Sequence, residues 1–135
     1  MKKFLSSLVV VAALCGSSAV FASDESEPNN SFATADNLVS YHFAYIDSST
    51  DVDYFKIPIT NGTYTYRLNM PSAVDYDLYL YQKVGSSYNL ITSSKKAGSV
   101  AEEITVSNNG TKEFYFVVKS YNGSFSPYTY QIKRL

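Results

Sequence analysis

Seven residues near the start of the chain, Asp24-Glu25-Ser26-Glu27-Pro28-Asn29-Asn30, gather three carboxylates and two carboxamides. These side chains offer hard oxygen donors, and a cation such as calcium takes six to eight of them at once. Pro28 has a fixed φ and no amide proton, and it disfavours helix at the residue before it, so the stretch reads as extended. Folded back onto the rest of the chain, it could hold a hard cation. A plainer role fits the same residues: Glu27 to Asn30 caps a turn at Phe32, and the acids are simply solvated.

The other candidates for chemistry are few. Asp75 and Asp77 invite a paired-carboxylate role of the glycosidase kind, but their spacing along one strand face is long for a retaining pair. His42 is the only histidine and is flanked by Tyr41 and Phe43 in a strand pattern. No nucleophile-elbow motif accompanies it, and a lone strand histidine is usually structural. The expectation is a protein that is not an enzyme. Thirteen tyrosines remain to be explained. Outward-facing ones such as Tyr79, Tyr81 and Tyr121 could form a platform for a fibrous protein or a glycan. Tyrosine also suits strands for its own sake, with its ring on the sheet and its hydroxyl in water.

The segment that leads into these residues has the marks of an export signal. Lys2 and Lys3 are followed by the apolar run Phe4 to Leu14, and Val20-Phe21-Ala22 supplies a cleavage site after Ala22. The apolar run is short for a bilayer span. Acylation at Cys15 would need a small residue where Leu14 stands. With residues 1–22 removed, a single domain of 23–135 remains. It has no cysteine, because Cys15 is the only one. Disulfides, thiolate catalysis and sulfur-ligated metals are then excluded, and the domain must be held by its core, by a bound ion, or by both. Its expected location is extracellular or periplasmic, and its expected state is a monomer.

Cleavage leaves nine basic residues against twelve acidic ones, a net charge of −3. Nine of the acids lie between Asp24 and Asp77, with only Lys56 and Arg67 among them; the remaining seven bases follow Leu78. No basic cluster is interleaved with aromatics, so nucleic acid is not an expected partner. The acidic first half is compatible with a cation site or with a solvated acidic face.

These residues must be positioned by strands. A short helical turn is expected within Asn29 to Asn37, capped by Asn30 or Ser31. Beyond it the period is two. Strands are expected at Tyr41 to Ile46, Asp51 to Ile59, Thr63 to Met70, Asp75 to Gln82, Tyr88 to Thr92, Ala101 to Val106 and Lys112 to Ser120, with a last one in which Tyr128, Tyr130 and Ile132 face inward. Pro58 marks a strand end or a sheet edge. Asn61-Gly62 is a hairpin signal, since both residues tolerate positive φ. Phe114 to Val118 is almost continuously apolar, as expected of a central strand covered on both faces. The implied fold is all-β, a jelly-roll-like β-sandwich of about eight antiparallel strands.

Four blocks in order strengthen this. They are Glu27-Pro28-Asn29-Asn30 with Ala33 and Ala35, then Asp51-Val52-Asp53-Tyr54-Phe55, then Asp75-Tyr76-Asp77-Leu78-Tyr79-Leu80-Tyr81, then Phe114-Tyr115-Phe116-Val117-Val118 followed by Ser126-Pro127-Tyr128-Thr129-Tyr130. Together they resemble the bacterial pre-peptidase C-terminal domain over essentially the whole of 23–135. That resemblance implies a jelly-roll-like sandwich of the kind appended to secreted proteases, whose collagenase-attached members bind calcium and collagen. Here no protease domain accompanies it, so the chain is expected to be the accessory module exported on its own.

Carried over by position, the resemblance implies calcium ligands at Glu25, Glu27, Asn29 and Asn30 in the lead-in and at Asp51 and Asp53 in the turn-to-strand segment. Asp51 and Asp53 share a strand face about 7 Å apart, close enough to share or flank one ion. Asn30 stands where the collagen-binding relatives often have aspartate, which implies weaker binding. Val117 and Val118 stand near where those relatives place an exposed tyrosine. The expected partner is an extracellular polymer, either a collagen-like protein or a glycan. The alternative is a separately encoded secreted protease, for which the chain would be an accessory, chaperone-like or inhibitory partner.

Overall fold

The computed structural model of the protein describes residues 25–135; the leader read from residues 1–22, together with Ser23 and Asp24, lies outside the described residues. Nine strands follow one another: β1 (Asp36–Asn37), β2 (Tyr41–Ala44), β3 (Val52–Ile59), β4 (Gly62–Asn69), β5 (Tyr76–Val84), β6 (Ser87–Ser94), β7 (Glu102–Asn108), β8 (Lys112–Ser120) and β9 (Tyr130–Arg134). Eight correspond to the strands expected from alternation. The ninth, β1, has two residues and pairs parallel with β3 at Phe55 and Lys56, too short to carry a periodic signal. In place of the expected helical turn, Ser31 to Thr34 form a single turn, in which Thr34 donates its amide to the Ser31 carbonyl at 3.2 Å and to the Ser31 hydroxyl at 3.3 Å.

The strands form two sheets, β1-β3-β8-β5-β6 and β2-β9-β4-β7, with every pairing antiparallel except β1–β3. The inward residues of β3, β4, β5 and β9 are those that alternation selected, and β8 adds every second residue of its apolar run. Phe55 and Ile59 from β3, Tyr66 and Leu68 from β4, Tyr76, Leu78 and Leu80 from β5, Phe114, Phe116 and Val118 from β8, and Tyr130 and Ile132 from β9 make one core. Tyr128 was expected to join them but precedes β9 and is 69% exposed. Pro58 lies beyond the two residues of β3 that β1 covers, so its missing N–H falls at a local edge.

The Asn61-Gly62 turn does not close a hairpin. β3 and β4 belong to different sheets, and the turn is the corner where the chain crosses between them. The backbone requirement is the one read from the sequence, since Gly62 has φ of 135°. A second corner, at Asn109-Gly110, joins β7 to β8 in the same way. Asn108 ties the two corners together: its Nδ2 donates to the Ile59 carbonyl at 2.6 Å and to the Gly110 carbonyl at 2.8 Å.

The outer face of the larger sheet is covered locally, without a third layer. Phe32, from the turn before β1, lies among Tyr54, Tyr81, Tyr88 and Tyr115. Its ring stacks on Tyr88 at 3.9 Å and meets the other three edge-on at 4.9 to 5.4 Å. Tyr115 of β8 is thereby buried on the side away from the core. β6 is the outermost strand of this sheet and is mostly exposed. No helix among the described residues is long and apolar enough to cross a membrane.

Candidate metal centre

The lead-in runs back along the start of β3, where Asn29 accepts the Tyr54 amide through its backbone carbonyl at 3.1 Å. That bond helps to bring the acidic stretch over the β3 aspartates. The carboxylates of Glu25, Glu27 and Asp53 converge, with one oxygen from each lying within 4.8 Å of the others. Each is fixed from outside the cluster. Glu25 accepts the Tyr45 amide at 2.7 Å and the Asn29 Nδ2 at 3.4 Å. Glu27 accepts the Asn29 amide at 2.9 Å. Asp53, buried in β3, accepts the Tyr130 hydroxyl through Oδ2.

Two oxygens have no protein partner. Asn29 Oδ1 and Asp53 Oδ1 are both buried and accept no hydrogen bond. A buried oxygen left in this state costs on the order of 1–3 kcal/mol, so each of the two requires an explanation. The three converging carboxylates form an all-oxygen set that could hold a hard cation such as calcium.

The remaining two expected ligands stand beside this group. Asn30 turns its amide nitrogen toward Asp51 Oδ1 at 2.8 Å and the Val52 carbonyl at 2.9 Å. Asp51 in turn accepts the Asp47 amide through Oδ2 at 2.8 Å. Asp51 is therefore engaged at both oxygens and, with Asn30, braces the bend that leads into β3. Sequence reasoning did not single out Tyr130 or the Tyr45 amide. Tyr130 was placed inward by alternation, but only the sandwich brings the last strand against Asp53.

The electrostatics agree with the geometry. Asp53 is pushed up to about 9, first by burial and then by the charge of Glu25. Burial is also the main cause of the raised values at Glu27 and Asp51, with neighbouring acids adding to both. Tyr130 is driven well above its ordinary range by burial and by Asp53. Without a cation, the pocket relieves its repulsion by keeping a proton on Asp53.

The tyrosines expected to form a platform are dispersed. Tyr79 is only 8% exposed: the ammonium groups of Lys95 and Lys119 lie 4.9 and 4.8 Å from its ring centre, and its hydroxyl donates to Asp77 at 3.1 Å. It faces away from the core but is covered by lysine, which alternation cannot reveal. Tyr81 is half-buried against Phe32. Tyr121 alone stands clear, 72% exposed. His42 is buried, its ring 4.9 Å from Phe55.

The arrangement of the two sheets is that of a known domain. The pre-peptidase C-terminal domain of a collagenase from Bacillus anthracis superposes with a TM-score of 0.54 at 10% identity, over 75% of this chain and 92% of that one. The two share a fold. The likeness drawn from the four sequence blocks is borne out at that level. A periplasmic inhibitor of g-type lysozyme from Aeromonas hydrophila aligns over 70% of this chain and 84% of its own, with a TM-score of 0.46 and 8% identity. No family model and no curated protein sequence matches the chain.

Proposed function

We propose that this chain is an exported, non-catalytic binding module whose N-terminal segment is clasped to its β-sandwich by calcium, and that it engages an extracellular polymer. The observation that carries the clasp is the convergence of Glu25, Glu27 and Asp53, with Oδ1 of Asp53 buried and unpartnered. Bound there, calcium would supply the positive charge that lets all three carboxylates ionise together. Glu25 and Glu27 bring the lead-in, Asp53 belongs to β3, and Tyr130 holds Asp53 from β9. The residues thus join the first described segment of the chain to its last strand.

The absence of a catalytic role is supported by the other polar groups. Asp75 accepts the Gly98 amide at 3.0 Å, Asp77 accepts Tyr79, and His42 packs against Phe55. A fold shared with a domain of a collagenase favours an extracellular polymer, a collagen-like protein or a glycan, as the partner.

Thermal melting during a calcium titration tests the clasp. Extracellular calcium modules have dissociation constants of about 0.1–1 mM, so 10 mM calcium should stabilise the fold by about 1.5–2.7 kcal/mol. In a domain of this size that is a rise in Tm of several degrees, about 5–12 °C. Chelation should reverse it, and an unchanged Tm at 10 mM calcium would sink the proposal. Recovery of a stoichiometric protease with the tagged protein from culture supernatant, without retention on collagen, chitin or cell wall, would replace the polymer with a protease partner.

A further inference from the structure

Where β5 begins, a shallow cleft of about 240 Å³ opens at the surface, lined by Asp75, Asp77, Lys95, Lys96, Ala97 and Tyr121. We infer that this cleft is a carbohydrate-binding site, taking one pyranose unit of an uncharged, hydroxyl-rich glycan. The inference rests on the reading of the chain as a binding module and adds to it a location and a ligand class.

The cleft is built to hold its shape. Its loop is anchored from below by Glu102, which is buried and accepts the Lys96 amide at 2.6 Å and the Ser94 hydroxyl. Lys96 Nζ donates to the Ala101 carbonyl at 2.8 Å and closes the loop on itself. On the other wall, Asp75 accepts the Gly98 amide at 3.0 Å through Oδ2 and the Tyr121 amide at 2.8 Å through its backbone carbonyl. The loop, the start of β5 and the platform residue are thereby tied together through one aspartate. Asp77 is held in turn by the Tyr79 hydroxyl.

Three features of this lining select the ligand. The two aspartates and two lysines cancel in charge, so an anion would meet Asp75 and Asp77, and a cation would meet Lys95 and Lys96. A neutral ligand meets neither penalty. The lining also offers strong acceptors and strong donors side by side, and sugar hydroxyls can be donor and acceptor at once. Finally, the Tyr121 ring, 72% exposed, stands at the rim, where the flat C–H face of a pyranose can lie against it. The volume is below the usual range for drug-sized ligands, about 300 Å³ upward, and suits a single ring of a longer chain that runs on across the surface.

The test uses the full mature protein, with calcium in excess, observed by amide-resolved NMR. Cellohexaose, chitohexaose and laminarihexaose serve as probes, alongside a triple-helical collagen-like peptide. At least one hexasaccharide should shift the amides of Asp75, Asp77, Lys95 and Tyr121 in a saturable way, with an affinity little changed by 0.5 M sodium chloride. Tyr121→Ala should weaken that binding about tenfold, and Tyr128→Ala, at an equally exposed tyrosine outside the cleft, should not. Shifts confined to another surface, loss of binding in salt, or no shift with any sugar at 10 mM would overturn the glycan site. If the sugars fail but the peptide binds, the glycan site falls and the binding-module reading stands; if neither sugar nor peptide binds, both fall.

Discussion

Asp53 shows how a single side chain can serve two opposite states. Buried beside Glu25 and held by Tyr130, its carboxyl favours the neutral form up to a pH of about 9. The stability linked to this group in the cation-free protein is therefore fully present below the ordinary aspartate value of 3.8 and is lost progressively as pH rises through about 9. Glu27 and Asp51, also raised, act in the same direction. In a chelator, Tm should fall steadily between pH 4 and pH 8, and saturating calcium should flatten or reverse the trend. Asp53→Asn separates the two effects. An amide oxygen can still accept from Tyr130 while the charge is gone, so the cation-free protein should melt higher than the parent and lose most of its response to calcium. A variant that melts lower and still responds fully would place the cation elsewhere.

At the scale of elements, the lead-in is attached by the Asn29 carbonyl to β3, by Glu25 to the Tyr45 amide, and by the turn that sets Phe32 among four tyrosines. Phe32 is only half-buried, so Phe32→Ala should cost less than a core phenylalanine, about 2 kcal/mol by urea unfolding. Asn108→Ala should cost about 1–3 kcal/mol by the same measurement, because it leaves the Ile59 and Gly110 carbonyls at the two inter-sheet corners without their shared donor. The Arg67–Glu103 pair across β4 and β7 is exposed on both sides, and Glu103→Gln should change stability by less than about 1 kcal/mol.

These elements also show what could be read before the structure. Alternation placed the inward faces of β3, β4 and β5 correctly, because period two depends only on the order of residues along one strand. It could not say which strands pair, and so Asn61-Gly62 looked like a hairpin when it is a corner between sheets. The oxygen-rich lead-in was visible as composition. The partition between the converging carboxylates of Glu25, Glu27 and Asp53 and the bracing residues Asn29, Asn30 and Asp51 depends on side-chain geometry within a few ångströms, and no spacing rule carries that.

For the molecule as a whole, distant parts of the chain meet at its seams. β9, the last strand, lies between β2 and β4 and also supplies Tyr130 to Asp53, which is 77 residues away in sequence. Such pairings form late, because the intervening loop must close first, and place refolding in the millisecond-to-second range. The opposite margin raises a different matter. β6 runs from Ser87 to Ser94 at the outer edge of its sheet, without a charge or a proline, and shows Leu90 and Ile91 to solvent. Its one irregularity is the register shift between Leu80 and Tyr81 on its partner strand β5. An edge so lightly guarded is where two copies will stick when the protein is concentrated. Ile91→Lys should lower the concentration-dependent growth in light scattering while leaving Tm within about 2 °C, so the shelf life of a concentrated stock depends on this strand more than on the buried core.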